Sequence, residues 1–179
     1  LKVHHEIPFD IQKDLGKAYN EAFSRIGEDD WLIVQDYDVM PLLPQTIPHI
    51  HTYIDRNKDA GILTCYTGRI SELSPQLLGG RLDENSDIKY HIKKAIAQEK
   101  FLYQTQEFKQ DISGFFMAIP KKTWNMVKFP EGIGCLGVDT KWNRMVRAAG
   151  LKIILMKGIY IFHTYRIMNG VRDKQHLIA

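Results

Sequence analysis

Asp36 and Asp38 close the run Trp31-Leu-Ile-Val-Gln-Asp-Tyr-Asp-Val-Met-Pro41, in which five mostly apolar residues deliver two carboxylates to the expected end of a buried strand. Side chains at i and i+2 of an extended segment share a face. Two hard oxygen donors there can hold one divalent cation, and a cation so held can bridge to the phosphates of a ligand. The pattern predicts metal-assisted chemistry on a phosphorylated substrate. The structural alternative is that aspartates follow strands because their side chains stabilise turns.

The elements that must position this pair follow from periodicity. Lys2 to Glu6 reads as a short strand. Ile11, Leu15, Ala18, Tyr19, Ala22, Phe23 and Ile26 then recur at helical intervals, which predicts an amphipathic helix capped by Asp10 and stopped near Gly27. The apolar run Trp31 to Gln35 suits a strand covered on both faces. Pro44 opens a second helix with Ile47, Ile50 and Ile54 on one side, and Ala60 to Tyr66 returns as a strand. Thr67 to Asn85 is rich in Gly, Ser, Pro and charge and reads as a long surface loop around Gly79-Gly80-Arg81. Ser86 is expected to cap a polar helix reaching about Phe101, with Ile88, Ile92, Ala95 and Ile96 as its buried stripe. Ser113 to Ile119 is strand-like, and Pro120 starts a short helix through Val127. A glycine-punctuated loop, Phe129 to Gly137, precedes a helix with Val138, Trp142, Met145, Val146 and Ala149 on one side, ended by Gly150. Two strands, Lys152 to Met156 and Ile159 to His163, then flank Lys157-Gly158, and a polar tail runs over 165–179. Alternating strands and helices predict an α/β domain whose ligand sits beyond the carboxyl ends of the strands.

Composition narrows the classes. The 179 residues, 44% of them apolar, suffice for a single domain with its own core. No apolar run approaches the ~20 residues needed to span a bilayer, and Leu1-Lys-Val-His-His5 is no signal peptide, so a cytoplasmic location, with peripheral docking on a membrane, is expected. The net charge of +3 is too small and dispersed to argue for nucleic acid. Cys65 and Cys135 lack metal-type spacing and are expected to be reduced thiols.

Three blocks together resemble the nucleotide-sugar glycosyltransferases of the GT-A fold, especially glycosyltransferase family 2. Asp14-Leu-Gly-Lys-Ala-Tyr-Asn-Glu-Ala-Phe23 followed by Trp31 to Asp38 looks like the family's Gly-x-x-x-Ala-x-Asn helix leading into its D-x-D strand. Ser113-Gly-Phe-Phe-Met-Ala-Ile-Pro120 is similar to the acceptor-side strand. Gly137-Val-Asp-Thr-Lys-Trp142, Ala149 to Ile153 and Tyr160-Ile-Phe-His163 resemble the catalytic-acid helix and the closing strand that often ends in His. The match spans about residues 10–166. The resemblance starts after the family's opening strand-helix-strand unit, which forms much of the nucleobase pocket, and Val138 stands where many relatives carry another acid.

The resemblance implies a GT-A-like (Rossmann-like) domain over 1–179, N-terminally truncated, with a mixed, mostly parallel sheet flanked by helices. It implies that Asp38 contacts Mn²⁺ or Mg²⁺, that Asp36 meets the metal or the ribose, that His163 completes the metal site, and that Asp139 is the base. Ser113 and Gly114 would approach the donor sugar, and Asp111 would bond its hydroxyls. Each assignment has a structural competitor: a packed strand-end role for His163, a helix cap for Asp139, a turn for Asp111, a packed strand for Gly114 and core packing for Trp142. Arg69, Arg81 and Arg166 are candidates for phosphate contacts. The expected activity is metal-dependent transfer of a sugar, with inversion, from a nucleotide-diphosphate donor such as a uridine one. The acceptor would be a hydroxyl on a glycan, a lipid-linked molecule or a protein. The alternatives are nucleotidyl transfer to sugar phosphates and a truncated, non-catalytic binding module.

Overall fold

The computed structural model describes residues 1–71 and 73–165; Arg166 and the rest of the expected tail lie outside the described residues. The chain order is β1 (Val3–Glu6), α1 (Leu15–Ser24), β2 (Trp31–Gln35), β3 (Val39–Met40), α2 (Thr46–Arg56), β4 (Ile62–Tyr66), α3 (Ile88–Gln98), a 3-10 turn (Glu99–Phe101), β5 (Thr105–Phe108), β6 (Phe116–Pro120), α4 (Lys121–Met126), α5 (Val138–Ala148), β7 (Ile153–Tyr160) and β8 (Phe162–His163). A six-stranded mixed sheet runs β1-β2-β6-β4-β7-β5, and β3 pairs with β8 in a second, two-stranded sheet.

The pairs β1–β2 and β4–β7 are parallel, whereas β2–β6, β4–β6 and β5–β7 are antiparallel. The sheet is therefore mixed, with fewer parallel pairs than the sequence suggested, because β6 and the unforeseen β5 run against the rest. Following the pairings across the sheet, β1, β2, β4 and β7 still share one direction, so their carboxyl ends emerge at one rim. Asp36 lies on that rim. Along β2, Leu32 and Val34 enter a core with Tyr19, Phe23, Trp142 and Val146, while Trp31 and Ile33 enter the other with Ile50 and Tyr53. This alternation puts α1 and α5 on one face of the sheet and α2 on the other.

Several local expectations are corrected. Asp14, not Asp10, caps α1 through its acceptance of the Lys17 N–H; Asp10 instead takes the backbone N–H groups of Gln12 and Asp14 in the preceding turn. Asp87, not Ser86, caps α3. That helix is also turned from its expected stripe, leaving Ile88 and Ile96 43% and 54% exposed while His91, Ala95 and Gln98 are buried. The reason is hydrogen bonding: His91 Nδ1 meets the Tyr160 hydroxyl and Nε2 the Asn85 carbonyl, both at 2.6 Å, and Gln98 Nε2 donates to the Lys157 carbonyl at 2.6 Å. Partnered polar groups can be buried at modest cost.

Lys157-Gly158 does not divide two strands. β7 runs through it with a shift of register: Cys65 and Tyr66 are consecutive on β4 but pair with Met156 and Tyr160. A Cβ on Gly158 would lie 2.4 Å from Leu102 Cα, so glycine here permits the close approach of the segment after the 3-10 turn. Among the described residues the 67–85 loop has no helix or strand, but it is anchored rather than superficial. Ile70 and Leu77 are buried, and buried Gln76 donates to Thr64 Oγ1 and Ser113 O and accepts from Ser113 N. Cys65 and Cys135 are free thiols. Among the described residues no helix is long and apolar enough to cross a membrane.

Candidate functional site

The site is assembled where β2, β6, β8 and α5 meet at the rim. β3 and β8 pair antiparallel with Val39 opposite His163, and the pairing is extended by the Thr164 N–H to the Asp38 carbonyl at 2.9 Å. A strand from the far end of the described chain is thus registered against the residues after β2. His163 Nε2 lies 3.2 Å from Asp38 Oδ1 and 3.9 Å from Asp36 Oδ2. The ring is 3% exposed and stacks on Phe115, with centroids 5.3 Å apart and planes within 10°. Thr164 Oγ1 donates to Asp38 Oδ2 at 3.2 Å, a partner that the sequence did not signal.

Asp139 reaches the same region from α5. Gly137 occupies the helix cap with φ of 80°, a backbone conformation that suits glycine, and Asp139 sits within the first turn instead of at the cap. A carboxylate there is favoured by the helix dipole. Its Oδ2 accepts the Gly114 N–H and its Oδ1 the Thr140 N–H, both at 2.8 Å. The next residue along, Phe115, accepts the Asp36 N–H at 2.9 Å. Gly114-Phe115 therefore ties the base candidate and the acidic pair to one stretch of backbone. A Cβ on Gly114 would lie 3.1 Å from Asp139 Cβ, which explains a glycine at this point.

Upstream residues hold the loop before Asp139. Asn20 on α1 donates to the Phe129 carbonyl at 3.0 Å and accepts the Phe129 N–H at 3.1 Å, clamping both backbone groups of one residue. A Cβ on Gly16 would lie 1.9 Å from the Pro130 carbonyl, so α1 packs directly on that loop. The Gly and Asn of the first sequence block thus position the third.

The electrostatics are those of a cluster short of positive charge. Burial is the main reason that the Asp36 carboxyl is pushed up to about 6; His163 opposes it, and the charges of Asp38 and Asp139 add to it. Burial also acts against Asp38, but the hydrogen bond and charge of His163 and the Thr164 hydroxyl outweigh it and hold that carboxyl below its usual value. Asp139 is raised by burial against the opposing backbone N–H groups of Gly114 and Thr140. Among the described residues no lysine or arginine pairs with Asp36, Asp38 or Asp139; the nitrogen partner within reach of the first two is the His163 imidazole.

The donor set fits a divalent cation. Asp36, Asp38 and His163 offer two carboxylate oxygens and an imidazole nitrogen, all within 4.8 Å of one another. The two measured separations from His163 are below the ~4.2 Å that two ligands can span across one ion at ~2.1 Å each. Oxygen ligands suit Mg²⁺ or Mn²⁺, and imidazole favours the transition metal. His163 Nδ1 is buried without a partner among the described residues. With Nε2–H donated to Asp38, Nδ1 carries only a bare lone pair; metal on Nε2 would move the proton to Nδ1, where no acceptor supports it.

The remaining candidates separate from this cluster. Asp111 is bound by Arg144 and Arg147 of α5, whose hydrogen bonds overcome the opposing effect of burial and lower its carboxyl. Trp142 is fully buried, stacked 4.0 Å from Phe129, with its indole N–H on the Val127 carbonyl. Arg69 is buried and donates to the carbonyls of Asp83 and Tyr165, joining the long loop to the segment just after His163. Arg81 is exposed. No model of a known protein family matches the chain, and no curated protein does.

Proposed function

We propose that this chain is the catalytic part of a metal-dependent, GT-A-type glycosyltransferase that moves a sugar, with inversion, from a nucleotide-diphosphate donor to a hydroxyl acceptor. The observation that carries the reading is the β3–β8 pairing, which sets His163 against Asp38 and Asp36 at the rim that Asp139 also reaches. Asp36, Asp38 and His163 would hold Mn²⁺ or Mg²⁺. A cation there supplies neutralisation of the charge that develops on a departing diphosphate.

The acceptor oxygen forms its bond to the anomeric carbon as the bond from that carbon to the diphosphate oxygen breaks, and Asp139 takes the acceptor's proton. Burial raises the basicity of Asp139, which suits proton abstraction near neutral pH. Its two backbone N–H donors fix the carboxylate while each oxygen keeps a lone pair for the incoming proton. The nucleotide-sugar donor and the glycan, lipid-linked or protein acceptor are parts of this proposal, as is the GT-A assignment.

The test is calorimetric titration of uridine diphosphate into the protein with and without Mn²⁺, repeated on Asp38→Asn. Metal-dependent binding that the variant loses while keeping its thermal transition supports the reading. A folded protein that binds no nucleotide would be a non-catalytic module, and pyrophosphate release from a nucleoside triphosphate and a sugar phosphate would make it a nucleotidyltransferase.

A further inference from the structure

Gln76 is fully buried on the 67–85 loop, and its amide makes every hydrogen bond open to it. Nε2 donates to Thr64 Oγ1 at 2.6 Å and to the Ser113 carbonyl at 3.1 Å, while Oε1 accepts the Ser113 N–H at 2.7 Å and the Ser74 hydroxyl at 2.8 Å. Thr64, equally buried, extends the network, because its hydroxyl donates to the Phe116 carbonyl at 2.8 Å. One amide thus fixes both backbone groups of Ser113 directly and the carbonyl of Phe116 through a single hydroxyl. The two residues in between are those that meet the acids. The Gly114 N–H goes to Asp139, and the Phe115 carbonyl takes the Asp36 N–H. Ser113 lies outside β6, so Gln76 supplies the bonds that a neighbouring strand would supply inside it.

We propose that Gln76 is a positioning residue of the candidate site, setting Asp139 and Asp36 against each other by holding the strip Gly114-Phe115 from both ends. Its consequence for sugar transfer rests on the transferase reading above. A buried amide is costly unless fully partnered, and an apolar side chain would fill the same volume. What the apolar side chain lacks is direction. Ser113 presents one donor and one acceptor, and the planar Gln76 amide answers both, so the backbone entering Gly114 has one orientation. Fully satisfied buried networks rigidify what they hold. From the other side, Asn143 Nδ2 of α5 donates to the Ile112 carbonyl at 2.6 Å, so the strip is gripped by the helix that carries Asp139 as well as by the loop. A base and metal ligands that act on one substrate need a fixed separation, and small misplacements are expensive in rate. The 67–85 loop therefore acts on the site through backbone that it does not itself contribute.

Gln76→Met keeps the length and removes the amide, and its thermal transition reports folding. Amide exchange is read at Ser113 and Gly114 beside Leu32 and Ile33 of β2. The Asp139 carboxyl is titrated by carbon NMR, its signal identified by its loss in Asp139→Asn. Burial raises that carboxyl and the Gly114 N–H opposes the rise, so a slackened Gly114 lets it titrate at still higher pH. The expected result is exchange roughly 2- to 10-fold faster at Ser113 and Gly114 relative to β2, the range for one neutral hydrogen bond, with the Asp139 titration moved upward. Ser74→Ala removes only the hydroxyl on Oε1 and should give the same changes in smaller measure, which keeps the test decisive if the methionine variant does not fold. Acceleration shared equally by all four amides, no acceleration, or an unmoved Asp139 titration overturns the positioning role and leaves Gln76 a core amide. Neither readout needs a ligand, so a wild-type protein that binds no uridine diphosphate with Mn²⁺ overturns the transferase reading separately.

Discussion

Asp36 is held at a cost that a bound cation would relieve, and replacing it by asparagine separates the two effects. Burial pushes its carboxyl up to about 6 in the fold from its ordinary value of 3.8, so folding favours the protonated form. The sign follows: stability is greatest below the unfolded value, falls as pH rises from about 4 to about 6, and is level above. A displacement of about 2 pH units corresponds to ~3 kcal/mol at ~1.4 kcal/mol per unit. The side chain is 41% exposed, and solvent screening brings the expected cost down to ~1 kcal/mol. Asp36→Asn should therefore be more stable than wild type by about that amount at pH 7.5 without metal, a rise of about 2–4 °C in the thermal midpoint for a chain of this size. The same change should abolish tight Mn²⁺ binding. In wild type, ligation requires the ionised carboxylate, which is ~90% populated at pH 7 and ~10% at pH 5, so the apparent Mn²⁺ affinity should fall about tenfold across that interval. Melting curves and Mn²⁺ titrations from pH 5 to 8 measure both quantities. A variant less stable than wild type above pH 7, together with a flat Mn²⁺ affinity between pH 5 and 7, would refute the account of a strained acid awaiting a cation.

Asp139→Asn keeps the shape and one of the two acceptors used by the Gly114 and Thr140 N–H groups, and cannot take a proton; sugar transfer should drop by about 10²–10⁴-fold with nucleotide and Mn²⁺ binding unchanged, as read by steady-state rates beside calorimetry. His163→Phe preserves the stack on Phe115 and deletes the nitrogen, so it should weaken Mn²⁺ binding with little change in melting temperature; a variant that binds the ion as wild type does would remove His163 from the site. Gly158→Ala places a methyl 2.4 Å from Leu102 Cα and 2.6 Å from its nitrogen, backbone atoms that cannot swing aside. It should cost about 3 kcal/mol in denaturant unfolding, with an unaltered midpoint as the contrary result. Trp142→Ala should cost about 4 kcal/mol on the same measurement, since the indole is fully buried and stacked; a loss below about 1 kcal/mol would contradict its core role.

Periodicity by itself determined where chain turns into strand or helix for the elements that bury one apolar face. It located β2 from its continuous apolar run, α1 and α5 from their spaced apolar residues, and the acidic pair at the end of a strand, because such patterns are short-range and written in consecutive residues. The type and order of the candidate ligands were legible for the same reason. What it could not decide were choices made between distant segments. α3 is turned because Tyr160 and Asn85 satisfy His91, and no count of isoleucines along the helix contains that information. β5 has exposed polar residues along most of its length and exists through its pairing with β7. Lys157-Gly158 looks like a turn locally, yet its glycine serves the approach of Leu102. The candidate site itself is of this second kind: two residues of β8 paired with two of β3 bring His163 to Asp38 across more than a hundred residues of chain, and a glycine in front of β6 anchors Asp139 through its N–H. Side-chain chemistry is local to each residue, but distance and desolvation belong to the assembled chain, and those two quantities turn three acids and an imidazole into a site.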